Sequence, residues 1–180
     1  MQKVTVIIAA AGNASRMGGI PKQLAQLCGK PVIVHSMEVF QRMDEVAEII
    51  VSAKDEHADI IGAAAEKHGI TKLAAIVSGG ETRQESVING LKAASKETSL
   101  IAVHDAARPL VKEKFVRQCI RDAEIFGAAA LGVPVKDTLK VVSGGLVTDT
   151  PDRSSLYAIQ TPQIFRKDVY YKGVNFAVEH

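Results

Sequence analysis

The side chains able to do chemistry in this chain are mainly cations set among glycines. Directly after the apolar run VTVII, the stretch AAAGNASRMGGIPKQ (residues 9–23) carries Arg16 and Lys22. Small residues let backbone N–H groups approach an anion, a guanidinium adds a fork of donors, and an ammonium adds a point charge. A polyphosphate is the natural guest of such a bend. The plainer alternative is a tight strand-to-helix turn with two solvated basic residues. Two familiar phosphate loops are excluded by spacing. The dinucleotide pattern fails because Gly12 is followed by Ala14 and Met17, and the P-loop fails because no Gly-Lys-Ser/Thr follows.

Four later segments carry polar groups at similar positions. SGGETRQESV places Gly79 and Gly80 at a bend, where backbone near Gly80 can approach a flat ring and Ser86 offers a hydroxyl. Thr82 and Glu85 have the spacing of a capping box, which accounts for a helix start but not for the glycine pair. VHDAARPL ends an apolar run in Asp105 and follows it with Arg108, which is either a structural ion pair or the acid and cation of a site. PVKDTLK and PDRSSLYAIQTPQIF supply Thr138, Arg153 and Thr161. His104 stands beside Asp105 and reads as a strand-end residue able to hydrogen-bond. The other histidines form no constellation.

The elements that must position these groups follow from hydrophobic periodicity. Apolar runs at residues 4–10, 47–53, 73–77, 100–104 and 128–135 read as buried parallel strands. Between them Ile33, Met37 and Phe40 share a helical face, as do Ile61, Ala65 and His68, then Val87, Leu91 and Ala94, then Phe115, Cys119 and Ala123. Gly127 is a natural stop for the last of these helices. This alternation predicts an α/β protein with a Rossmann-like, open, mostly parallel sheet and helices on both faces. In such sheets ligands bind beyond the carboxyl ends of the strands, where the glycine bends fall.

From Lys136 the pattern changes. KDTLKVV and GLVTDT flank SGG and read as a β-hairpin projecting from the domain. An isolated hairpin is marginal in water, so residues 136–156 are expected to form an arm that packs on a second subunit. With this arm included, the 180 residues read as a single domain spanning 1–180. The final segment, RKDVYYKGVNFAVEH, has helical period without a stop signal, so the natural chain is expected to continue.

Composition narrows the partners. Twenty-two basic and 20 acidic residues give a formal charge of +2, and aromatics are 4% of the chain, which offers nucleic acid neither a basic field nor a stacking platform. No apolar run approaches the length of a membrane span. Two cysteines, Cys28 and Cys119, are too few for a disulfide framework and read as small buried hydrophobes. The expectation is a cytoplasmic protein with no nucleic-acid or membrane partner.

In order, AAGNASRMGGIPKQ, GGETRQESV, HDAARP, VKDTLK and QTPQIF resemble the motifs of the 2-C-methyl-D-erythritol 4-phosphate cytidylyltransferase family, and the resemblance covers essentially the whole chain. It implies transfer of CMP from CTP to a sugar-alcohol phosphate with release of pyrophosphate, in a homodimer. Arg16 and Lys22 then match the catalytic loop residues that hold the triphosphate. Ala10, Ala11, Gly12 and Ala14 match its backbone cradle, and Gly80, Glu81 and Ser86 match positions at the base. Asp105 matches the acid near the acceptor and the Mg²⁺ ion. Arg108, Thr138, Arg153 and Thr161 match positions around the acceptor, some of them contributed by the partner's arm, and Arg153 is also assigned a catalytic part.

This chain departs from the family's pattern in three places. Ala14 replaces a frequent glycine and is expected at negative φ, and Glu81 stands where an aspartate is usual. The family also continues past residue 180 into a segment with a further substrate-positioning lysine. Ribitol-5-phosphate cytidylyltransferase and a CTP-binding module without catalysis are the alternative readings, whereas a dinucleotide oxidoreductase lacks both its glycine spacing and its ribose-binding acid.

The chemistry itself sets the same requirements. Two anions must meet while a third leaves, so preorganised positive charge is needed where oxygen charge develops. Magnesium takes phosphate oxygens, water and one or two carboxylates, so Asp105 alone suffices as an acidic ligand. A phosphate monoester is already largely ionised at neutral pH, so no general base is required.

Overall fold

A computed structural model of the chain describes residues 3–12 and 21–179. Arg16 and Ala14 lie outside the described residues. In chain order the elements are β1 (Val4–Ala9), β2 (Gln26–Leu27), β3 (Lys30–Pro31), α1 (Val32–Gln41), β4 (Val46–Ala53), α2 (Asp55–Lys67), β5 (Leu73–Ser78) and α3 (Arg83–Ala93). They continue with β6 (Leu100–Asp105), α4 (Glu113–Phe126), β7 (Ala128–Pro134), β8 (Val141–Ser143), β9 (Leu146–Asp149), β10 (Tyr157–Arg166) and α5 (Lys167–Glu179).

The main sheet has six strands in the order β5-β4-β1-β6-β10-β7. The first four are parallel, and β10 runs antiparallel between β6 and β7. Alternation along each central strand explains the two layers of helices. On β1, Val4, Val6 and Ile8 join the core formed with α1, α2 and α4, while Ile7 faces the opposite layer with Val87 and Leu91 of α3. On β6, Leu100 and Ala102 take the first side and Ile101 and Val103 the second. Burying each such aliphatic side chain contributes roughly 1.5–3 kcal/mol, which is why both faces of this sheet are covered. The expected fold class and all five strands are present, with ends shifted by a residue or so.

The structure corrects four sequence readings. β10 was not expected, because Gln160, Pro162 and Gln163 interrupt its apolar pattern and an internal proline argues against a ladder strand. Its pairing with β7 breaks between Ile159 and Gln163, so the proline falls where no ladder N–H is needed. The hairpin is shorter than its sequence suggests, since residues 136–140 are outside β8. Gly144 and Gly145, at φ 58° and 81°, form its two-residue turn, a geometry that matches strand twist and favours glycine. The buried stripe of α4 is Val116, Cys119, Ile120 and Ala123, so Phe115 lies one position off it and is 48% exposed. Cys28 is also exposed, at φ 49° in the β2–β3 turn, because that turn has no core beneath it, whereas Cys119 is buried as expected. The Thr82–Glu85 capping box forms on α3, and Gly127 ends α4 in the left-handed region.

Candidate active site

The sheet order changes direction between β1 and β6, and a crevice opens beyond the carboxyl ends of these two strands, as the strand order requires. It is a cavity of about 430 Å³ bordered by Ala10, Ala11, Gly12, Lys22, Gly80, Glu81, Arg83, Ser86 and Asp105. Each wall is held by a specific contact. The Ala10 N–H donates to Ser52 O at 2.7 Å, and the Ala106 N–H donates to Ala9 O at 3.1 Å, so the strand ends stay tied where the loops leave them.

Lys22 is exposed and points into this cavity's lining from a turn that Gln23 anchors. Gln23 is buried, and its Nε2 donates to Ala10 O at 2.7 Å while its own carbonyl accepts from the Ile33 N–H. Sequence reasoning named Lys22 but missed Gln23, whose signal was a polar residue tucked between Pro21, Lys22 and an apolar stretch.

The opposite wall is the bend before α3. A Cβ built on Gly79 would lie 2.3 Å from Ala11 Cβ, and one on Gly80 would lie 2.3 Å from Glu85 Cβ. These two contacts explain the glycine pair that a helix cap could not. The Gly80 N–H donates to Ser86 Oγ at 3.0 Å, and Ser86 Oγ donates to Thr82 O at 2.9 Å. Ser86 is thus buried and holds the shape of the bend. Glu81 borders the cavity with its side chain exposed, and its N–H donates to the capping-box Glu85.

Asp105, at the end of β6, joins two walls. Its Oδ1 accepts from Arg83 Nη2 at 2.9 Å and Nε at 3.2 Å, and its Oδ2 accepts from Arg108 Nε at 2.9 Å. Burial pushes this carboxyl up, but the hydrogen bonds and charges of Arg108 and Arg83 outweigh it and hold it below the usual aspartate value. Asp105 is therefore anionic at neutral pH. The Asp105–Arg108 pair anticipated from sequence is present, and Arg83 is an addition that the spacing did not flag. It stands in GGETRQESV at the first position of α3, where its side chain can reach across to β6.

Asp105 also suits a divalent ion. Oδ2 accepts one hydrogen bond and keeps a lone pair, and magnesium readily combines one carboxylate with phosphate oxygens and water. Among the described residues no cluster of three or more acidic, histidine or cysteine side chains could hold an ion without such help.

Thr161, in the interrupted stretch of β10, is turned inward to Asp105, whose N–H donates to its Oγ1 at 3.1 Å. Thr161 and Arg108 border a second cavity of about 370 Å³. His104 is fully buried, and burial pushes its pKa down to about 4, so it is neutral under ordinary conditions. Thr138 and Arg153 are exposed and border neither cavity; Arg153 Nη1 donates to Lys136 O at 3.1 Å, near the base of the hairpin. A single chain thus gathers Lys22, Gly80, Ser86, Asp105, Arg108 and Thr161 along one sheet edge and leaves Thr138 and Arg153 beside the arm. Arg16 falls outside the described residues.

The chain's resemblances to known proteins follow the same lines. Residues 4–178 match the family model described as 2-C-methyl-D-erythritol 4-phosphate cytidylyltransferase. A curated relative of that name from Caldanaerobacter subterraneus is 41% identical over 179 residues, covering 98% of this chain and 79% of the relative. A chloroplastic relative from Oryza sativa is 38% identical over 174 residues, covering 96% and 58%. The solved 4-diphosphocytidyl-2C-methyl-D-erythritol synthase of Anaerococcus prevotii superposes with a TM-score of 0.86 at 29% identity, covering 99% of this chain and 78% of that one. The Thermus thermophilus cytidylyltransferase gives 0.75 at 32% identity, with 99% and 77% covered. A family match that runs from the first strand to the last helix, on a sheet with a cavity at its switch point, means that this chain belongs to the 2-C-methyl-D-erythritol 4-phosphate cytidylyltransferase family.

Proposed function

We propose that the cavity beyond β1 and β6 holds CTP and that the acceptor enters beside Arg108 and Thr161. The reaction is that of the family, in which CMP passes from CTP to 2-C-methyl-D-erythritol 4-phosphate and pyrophosphate is released. The observation that carries the placement is the cavity's make-up: bare backbone at Ala10–Gly12 and Gly80 on two walls, with Lys22 and Arg83 on its rim. Backbone amides can touch a triphosphate there without side chains in the way.

An oxygen of the acceptor phosphate attacks the α-phosphorus, and the bond from that phosphorus to the β-phosphate's bridging oxygen breaks. Lys22 stabilises the charge that builds on the oxygens, and Arg16 from the same loop is assigned the same work. Asp105, through Oδ2, would help hold Mg²⁺, which when bound neutralises phosphate charge. Gly80, Glu81 and the bend that Ser86 braces take the base and ribose side. Arg108 meets the incoming phosphate. No described side chain needs to act as a general base, because the nucleophile is already ionised.

The arm supplies the rest. Val141, Val142, Leu146 and Val147 of β8 and β9 are all exposed, as are Val133, Tyr157 and Ile159 at the adjoining sheet rim. A hairpin this short and apolar needs a second surface, and a homodimer provides one. In it Thr138 and Arg153 would reach the partner's acceptor, which accounts for their distance from either cavity here. No helix among the described residues is long and apolar enough to cross a membrane. The unpaired thiols fit a reducing, cytoplasmic setting.

The test is pyrophosphate release from CTP and Mg²⁺ with each of two acceptors. Release with 2-C-methyl-D-erythritol 4-phosphate and not with ribitol 5-phosphate is expected. Equal use of both would remove the assignment of acceptor specificity.

A further inference from the structure

His104 has no part in the chemistry described above, yet its surroundings leave it only one arrangement. Its ring is fully buried and packs edge-on against Phe40, with centroids 5.1 Å apart. Nε2 lies 3.2 Å from Arg108 O, and Nδ1 lies 3.1 Å from Thr161 Oγ1. A carbonyl oxygen can only accept, so Nε2 must carry a proton. The Thr161 hydroxyl is itself buried and needs an acceptor, and among the described residues the one within hydrogen-bond reach is His104 Nδ1, so Nδ1 is an acceptor. The Thr161 hydroxyl must therefore give its proton to Nδ1. The same oxygen already accepts from the Asp105 N–H at 3.1 Å.

The result is a directed chain from the Asp105 N–H to Thr161 Oγ1, from the Thr161 hydroxyl to His104 Nδ1, and from His104 Nε2–H to Arg108 O. One lone pair on Thr161 remains unused. We propose that His104 is a positioning residue for the acceptor half of the site: it pins the 105–108 turn against β10 and fixes Thr161 as a hydrogen-bond acceptor only. Thr161 can then receive a bond from a polyol hydroxyl of the substrate and has none to offer its phosphate, which is left to Arg108. The sequence reading grouped Thr161 and Arg108 as acceptor contacts; this chain assigns them opposite ends of that molecule.

The inference rests on the acceptor lying beside Arg108 and Thr161. Four variants and one spectrum test both layers. His104→Phe keeps a ring against Phe40 and loses both hydrogen bonds, so the KM for 2-C-methyl-D-erythritol 4-phosphate should rise about tenfold or more while the KM for CTP holds. Thr161→Val should produce a similar rise, and the double variant should show little beyond the larger single effect, because the two residues act as one chain. Additive losses, or a parallel rise in the CTP constant, would mean that His104 serves the fold generally and would overturn the proposal. Long-range proton–nitrogen NMR correlations on the unaltered enzyme read the ring directly: the Nε2–H tautomer is expected, and an Nδ1–H ring or an imidazolium refutes the chain even if His104→Phe does not fold. Arg108→Ala separates the layers. If it raises the acceptor KM and His104→Phe does not, the positioning role fails alone. If neither variant moves that constant, this edge is not the acceptor's, and the proposal falls with that placement.

Discussion

Gly79→Ala tests whether the two backbone walls of the cavity must touch. The added Cβ would lie 2.3 Å from Ala11 Cβ, whereas non-bonded carbons settle at about 3.5–4.0 Å. The bends at Ala11 and Gly79 would have to part by roughly 1.5 Å if the strain were relieved there. The glycine has little freedom to yield, because its N–H is bonded to Ala53 O at 2.7 Å and Ser86 Oγ sits 3.4 Å from the new carbon. Overpacking of this kind costs about 1–3 kcal/mol, which in a domain of this size lowers Tm by roughly 2–12 °C. A displacement near 1 Å between groups that must act together costs about 100-fold in rate. Pyrophosphate release and thermal unfolding measured on the same preparation separate the two effects. A kcat/KM reduced about 100-fold in a protein that melts only several degrees lower is expected. Wild-type kcat/KM in the folded variant would show that the contact between the walls is not what shapes the CTP site.

Gly12→Ala is the matching control: among the described residues a Cβ there meets nothing within 4 Å, so Tm should hold while the KM for CTP rises, and an unchanged KM would remove Gly12 from the triphosphate cradle. Lys22→Ala should lower kcat by about 100–1,000-fold without altering the melting curve, because its side chain is exposed and serves charge rather than packing; near-normal turnover would refute the clamp. Leu146→Asp removes one of the arm's most exposed apolar side chains from its proposed partner surface, a loss of roughly 1.5–3 kcal/mol. Sedimentation should then show dissociation, with acceptor use falling more than CTP affinity. A dimer of unchanged stability would mean that the arm packs elsewhere. At pH 8 a chromogenic disulfide reagent should modify exposed Cys28 in the native protein and reach Cys119 only after denaturation. Burial pushes the Cys119 thiol up to about 11, so it keeps its proton as pH rises past 9, where an unfolded chain begins to lose its own. That group's contribution to stability therefore declines from about pH 9 toward 11, and rapid native labelling of both thiols would contradict its burial.

What could be read from sequence divides along physical lines. The parallel strands were legible because β1, β4 and β6 are buried on both faces and therefore apolar at nearly every position. The α3 cap was legible because Thr82 and Glu85 satisfy orphan amides through their own side chains. β10 was hidden because its irregular stretch, Gln160 to Gln163, breaks the pattern that would announce a strand. Phe115 was misplaced by one position because a helical face assigned from three apolar residues leaves the choice between i and i+1 open, and only contact with the sheet decides it. Gln23 and Arg83 were passed over for a related reason. Each acts through a residue distant in sequence, Ala10 and Asp105 respectively, and no local spacing records that reach.

Asp105 shows why so much positive charge can wait at one edge of the sheet. Arg83, from α3, and Arg108, from the turn after β6, would repel each other across an empty crevice, and either could swing away into water. A single carboxylate between them, held anionic by both, keeps the two forks in place and offsets part of their charge. An arriving phosphate is the stronger partner because it carries nearly two charges and three acceptor oxygens. It need only displace one arginine's existing bond rather than gather a disordered side chain, so ordering is complete before the substrate arrives. In the proposed arrangement the carboxylate oxygen released in that exchange would be free to help hold a divalent cation. Replacing Asp105 with Asn would keep the shape but free both guanidiniums. The expected outcome is tighter retention of inorganic phosphate in an equilibrium binding measurement together with lost turnover, and weaker phosphate binding would show that the arginines depend on Asp105 for their position more than they compete with it.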